Sequence, residues 1–177
     1  MTCTQCDGSG KIPNYGTCPQ CSHTHKYAGI GARVTPEAIV AQMQSIAMRL
    51  AMSGWFLRSG GAKGADKAFE AGCDVINPSA KSIRCGTLWE PAMNHAARYH
   101  PAWSKCSNDA ARSLHARNSL VMMGDHLNDP VKFVVCWTVD GAVTGGTGQA
   151  LRIAQEHQIP IFNLAVTDEA ALWEFLT

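Results

Sequence analysis

No apolar run in this chain approaches the roughly 20 residues needed to cross a bilayer. The opening MTCTQCDGSG also lacks the basic-then-apolar order of a secretory leader. Both absences lead us to expect a cytoplasmic protein without a membrane partner. Net charge is scarce too, with 15 Lys and Arg against 14 Asp and Glu. The chain as a whole therefore has no field to hold a polyanion by counterion release, and a nucleic-acid partner would need a local patch. Lys11, Lys26, Lys81 and Arg84 are the residues available for one. Two phosphate-binding signatures are missing as well. No GxxxxGK[ST] loop occurs, and Gly29-x-Gly31 lacks the third glycine of the dinucleotide fingerprint, which argues against NAD-linked redox chemistry.

What is present is an ordinary globular composition, 46% hydrophobic and 16% charged over 177 residues. That supports one hydrophobic core with a small appendage, because domains hold roughly 100–150 residues. Four of the eight cysteines crowd the first 21 residues as two pairs, Cys3-Thr-Gln-Cys6 and Cys18-Pro-Gln-Cys21. Two residues between thiolates let both sulfurs face one ion, and Zn²⁺ prefers four such ligands in a tetrahedron. Residues 1–25 are thus expected to form a small zinc-knuckle module whose folding energy comes from the metal. The segment Cys6-Asp-Gly-Ser-Gly-Lys11 resembles one CxxCxGxG repeat of the DnaJ-type zinc domain.

From residue 26 to 177 short apolar runs alternate with helical patterns, the mark of βαβ units and a parallel sheet. The expected class is α/β, a Rossmann-like open parallel sheet of about five strands with helices on both faces. Strands are expected at 27–30, 55–58, 74–77, 132–139 and 160–164. The firmest helix has Thr35 as N-cap, Pro36 at its first position, and Ile39, Met43, Ile46 and Leu50 along one face. A helical insertion is expected at about 79–128, with helices around 89–99 and 108–123. A closing helix begins at Thr167.

In an open parallel sheet the ligand crevice lies beyond the carboxyl ends of the strands, where strand order reverses. The loops expected there carry Gly29, Gly31 and Arg33; Ser59, Gly60, Gly61, Lys63 and Asp66; and Gly145, Gly146, Thr147 and Gly148. Glycines after strands leave backbone N–H groups uncovered, and helix N-termini add partial positive charge, so such loops can cradle phosphate. Arg33 and Lys63 would add direct charge, and Ser59, Thr144 and Thr147 would donate hydroxyl bonds.

The runs Gly29-Ile-Gly31-Ala-Arg33, Leu57-Arg-Ser-Gly-Gly-Ala-Lys-Gly-Ala-Asp66 and Gly145-Gly-Thr-Gly148 resemble the SLOG superfamily. That superfamily includes the DNA-processing protein A family, the Lonely Guy phosphoribohydrolases and the YspA-like proteins. The resemblance implies a nucleotide or nucleotide-derived ligand at these loops and a homo-oligomer. In the hydrolases the glycine motif continues to a glutamate that assists departure of the base; here Arg152 stands in that place. Glycosidic cleavage needs a carboxylate, for which Asp66, Glu70 or Asp140 would have to substitute.

Three functions stay open on the sequence. One is a sensor or sequestering protein for a nucleotide, and a second is a nucleotide N-glycosidase or deoxyribosyltransferase-like enzyme. The third is a DNA-processing-like nucleic-acid mediator. His115, Arg117 and Asn118 sit on a helix of the insertion that either folds over the crevice to touch a ligand or, on the preferred account, carries them as solvent-facing polar residues. Cys85, His95, His100 and Cys106 have the types but not the spacing of a second zinc site. Trp89 and Trp103 are the tryptophans best suited to stack on a base.

Overall fold

The computed structural model describes residues 11–12, 16–17, 25–106 and 108–177. Near the N-terminus, β1 (Lys11–Ile12) and β2 (Gly16–Thr17) pair as a short antiparallel hairpin. The four cysteines expected to bind zinc lie outside the described residues.

Five parallel strands make the main sheet. They are β3 (Lys26–Gly31), β4 (Phe56–Ser59), β5 (Lys81–Ile83), β6 (Phe133–Trp137) and β7 (Ile161–Asn163), in the order β5-β4-β3-β6-β7. The chain winds outward from β3 to β5, crosses back over the sheet, and continues from β6 to β7 on the other side of β3. Right-handed crossovers in two opposite directions place helices on opposite faces.

Alternation along the strands shows how each face is filled. Tyr27, Leu57, Phe133 and Val135 pack under α1 (Glu37–Met52), α2 (Ala65–Ile76) and α6 (Glu169–Phe175). Ala28, Ile30, Val134 and Cys136 face the other way, under α3 (Glu90–Tyr99), α4 (Asp109–Met123) and α5 (Gly145–Glu156). With both faces covered, β6 reads Phe-Val-Val-Cys-Trp without polar interruption. Among the described residues no helix is long and apolar enough to cross a membrane.

Three local expectations are corrected. Residues 74–76 are not a strand but the last turn of α2, where Val75 and Ile76 are exposed. The β-branched pair before Pro78 imitated a strand, but the helix continues to Ile76 and only Asn77 is extended, the conformation a following proline favours. The third strand lies inside the segment read as insertion, at Lys81–Ile83, a partly buried sheet-edge strand too short and polar to announce itself. α1 starts at Glu37 with Pro36 at the cap position, while Thr35 donates its hydroxyl to the Ala32 carbonyl at 2.8 Å. α6 is capped by Asp168, whose carboxylate accepts from Ala170 N–H, and not by Thr167.

Candidate functional site

Because β3 and β6 are neighbours whose connections leave in opposite directions, their carboxyl ends mark the switch point of the sheet. A crevice of about 630 Å³ opens there. Ile30 to Val34, the last residues of β3 and the loop after it, form one wall, and Thr138 and Val139 after β6 the other. The start of α5, Thr144 to Thr147, forms the floor, and α4 lies across the top with Leu114, His115, Arg117 and Asn118.

The geometry sorts the glycines. A Cβ on Gly29 would meet Phe69 at 2.6 Å and Leu57 at 2.7 Å, so this glycine lets the sheet pack against α2 and does not face the crevice. On Gly31 it would meet Ala65 Cβ at 2.6 Å and the Trp137 carbonyl at 2.8 Å, so the residue joins α2 and β6 at the crevice wall. Gly148 is buried against Val143. Gly146 has nothing within 4 Å of where a Cβ would stand. A side chain there would stand in open space at the crevice lining. The amides of Gly145, Gly146 and Thr147 precede the first intrahelical bond of α5, from Gly148 N–H to the Thr144 carbonyl.

The loop after β4 is organised by its own carboxylate. Asp66, 3% exposed, accepts from Gly31 N–H on Oδ1 and from Gly60 and Ala62 N–H on Oδ2, each at 3.2 Å. Amides expected to be open to an incoming phosphate thus hold an internal anion that binds the β3 and β4 loops together. Burial pushes the Asp66 carboxyl above its ordinary range, against the pull of the three amides and of Arg117. Ser59 is fully buried, and its hydroxyl has no partner among the described residues. Gly61 turns the chain at φ +71 beside Ile83, and Lys63 is exposed outside the crevice lining. Glu70 pairs with Lys67 at 2.5 Å and does not line the crevice. Asp140 sits in a left-handed turn, also outside it.

The helix of the insertion reaches over the crevice rather than facing solvent. Arg117 Nη1 donates to the Gly60 carbonyl at 2.9 Å, and Asn118 Nδ2 donates to the Gly146 carbonyl at 3.0 Å and to Gln149 Oε1 at 3.0 Å. α4 thereby clamps both glycine loops. The expected solvent-facing placement is thereby corrected; contacts across 57 and 28 positions leave no local signal in the sequence. Burial lowers the Arg117 guanidinium's proton affinity, Asp66 opposes that, and Arg33 lowers it further by repulsion. Two cationic side chains therefore share one crevice, and among the described residues no carboxylate lies in ion-pair distance of either. Arg152 points elsewhere, donating to the carbonyls of Tyr99 at 2.6 Å and Val143 at 3.1 Å.

Fold and site together define a doubly wound Rossmann-like domain with a crevice at its switch point that Arg33 and Arg117 line. The chain is similar to a solved structure of DNA processing protein A from Helicobacter pylori, described for its single-stranded DNA binding mode. The identity is 22% and the TM-score 0.54, with 86% of this chain and 73% of that chain covered. At that identity the likeness establishes the fold. No protein-family model matches the chain, and no curated protein does.

Proposed function

We propose that this protein binds a nucleotide or nucleotide-derived ligand in the switch-point crevice, as a sensor or sequestering protein of the SLOG kind. The observation that carries this reading is the convergence of Arg33, Arg117 and the first-turn amides of α5 on one cavity. An anion there relieves the repulsion between the two guanidiniums and engages N–H groups the helix leaves unpaired. The apolar walls offered by Val34, Leu114 and Val139 suit a base. Capture without turnover is favoured because both oxygens of Asp66, the carboxylate in the crevice lining, already accept backbone amides, and Glu70 and Asp140 lie outside the lining.

A second reading, a nucleic-acid mediator, is favoured by the fold shared with a single-stranded DNA-binding protein. For residues 1–25 we propose a zinc module bound by Cys3, Cys6, Cys18 and Cys21.

Calorimetric titration with nucleoside monophosphates tests the main reading. Micromolar binding is expected, lost in Arg33→Ala and weakened in Gly146→Val, which adds a branched side chain at the lining, with inorganic phosphate competing. Absence of monophosphate binding, with no small molecule released on heating the purified protein, refutes it. Free base appearing during incubation replaces capture with glycosidic cleavage.

A further inference from the structure

Beyond the start of α5 lies a second hollow of about 370 Å³, bounded by His100, Pro101, His115, Val143 and Arg152. Thr144, Gly145, Gly146 and His115 line both cavities, so the first turn of α5 forms a sill between them. Each volume lies in the range of about 300–1,000 Å³ that ligand sites occupy.

The walls of this hollow are chemically distinct. The His100 and His115 rings meet edge to face at 4.4 Å, and Trp103 stands behind them at 5.8 and 6.3 Å. The Arg152 guanidinium, held by two carbonyls, presents a fixed plane. Imidazole rings and guanidinium planes are surfaces on which nucleic-acid bases stack. His115 Nδ1 is buried without a hydrogen-bond partner among the described residues. A single nucleotide in the crevice leaves His100, Trp103 and Arg152, none of which lines it, unused.

We propose that this hollow is a second nucleoside subsite, so that the ligand is two nucleosides joined by a phosphate lying over the α5 sill. This rests on reading the crevice as a nucleotide site. The chemistry is shared by a free dinucleotide and by two successive residues of a single strand.

Calorimetric titration of the full chain with deoxyadenosine monophosphate, the dinucleotide pdApdA and a deoxyadenosine hexamer tests it. The dinucleotide is expected to bind at least about fivefold more tightly than the monophosphate, the gain that stacking one more base supplies. His100→Asn removes the ring while its amide oxygen can still accept from Ala102 N–H, which His100 Nδ1 does at 3.2 Å. This variant is expected to lose the gain and keep the affinity for the monophosphate, whose crevice His100 does not line. Equal affinities for the two ligands in the unaltered protein, or equal weakening of both by His100→Asn, overturn the proposal and leave the crevice reading standing. Failure of all three ligands to bind overturns both. A hexamer no tighter than the dinucleotide supports the subsite with a free dinucleotide as ligand, and a tighter hexamer supports it with a strand. As an independent measurement, a photoreactive base on the second nucleoside should crosslink to the hollow's own lining, at His100, Pro101, His115, Val143 or Arg152, and crosslinks only elsewhere refute the assignment.

Discussion

Replacing Asp66 separates a structural from a chemical role for the most enclosed carboxylate of the site. Its oxygens accept three amides at 3.2 Å, the long end of the hydrogen-bond range, with the side chain almost wholly buried. Bonds to a charged acceptor contribute about 1.5–3 kcal/mol each, and their length puts these three at the lower end. Against that stands the cost of burying the charge, large enough to raise the carboxyl's pKa despite the amides. Asp66→Ala is therefore expected to destabilise the fold by about 3 kcal/mol, since three partly buried amides lose their acceptor. Asp66→Asn keeps one acceptor oxygen and turns an NH₂ toward the remaining amides, for about 1–2 kcal/mol. Urea unfolding at neutral pH, read as a shifted midpoint with unchanged slope, measures both. A loss below about 0.5 kcal/mol for Asp66→Ala would refute the reasoning. If Asp66→Asn left stability intact but abolished conversion of a nucleotide, the carboxylate would belong to the chemistry instead.

Gly31→Ala should destabilise by about 1–3 kcal/mol, because its Cβ meets Ala65 and the Trp137 carbonyl, while Gly146→Ala stays within about 0.5 kcal/mol. Thermal unfolding of the pair checks this, and equal shifts would count against the packing described. Burial first, then repulsion from His157 and Arg98, lowers the pKa of His95, and burial with His100 lowers that of His115. The unfolded chain therefore takes up these protons more readily than the folded one. Stability should be unaffected above about pH 6.5 and decline as the pH falls through that value toward the lower folded pKa values. Urea midpoints between pH 7.5 and 5.5 test the sign, and His95→Gln should flatten part of the decline. Elemental analysis should find about one zinc per chain, lost on replacing Cys3 and Cys6 by serine, if the two CxxC pairs share one ion.

Much of the architecture was legible in the sequence because it is locally encoded. Ile39, Met43, Ile46 and Leu50 at helical spacing announce α1, and the unbroken Phe133–Trp137 run announces a strand covered on both faces. Glycine runs following strands marked Gly31 and 145–147 as crevice residues, and those are where the crevice opens. The strand at Lys81–Ile83 was not legible, since an edge strand of three residues with Lys and Ser carries neither alternation nor an apolar run.

By itself the sequence determined the alternation of strands and helices, the position of the glycine loops after strands, and the paired cysteines at zinc spacing. Only the tertiary structure decided which amides remain available, because Asp66 fills the loop after β4 while the first turn of α5 stays open. It also decided that α4 closes over the crevice, through Arg117 to Gly60 and Asn118 to Gly146. Secondary structure follows from side-chain periodicity within a few residues, whereas a site is made by groups far apart in the chain whose meeting depends on how the sheet winds and the helices pack.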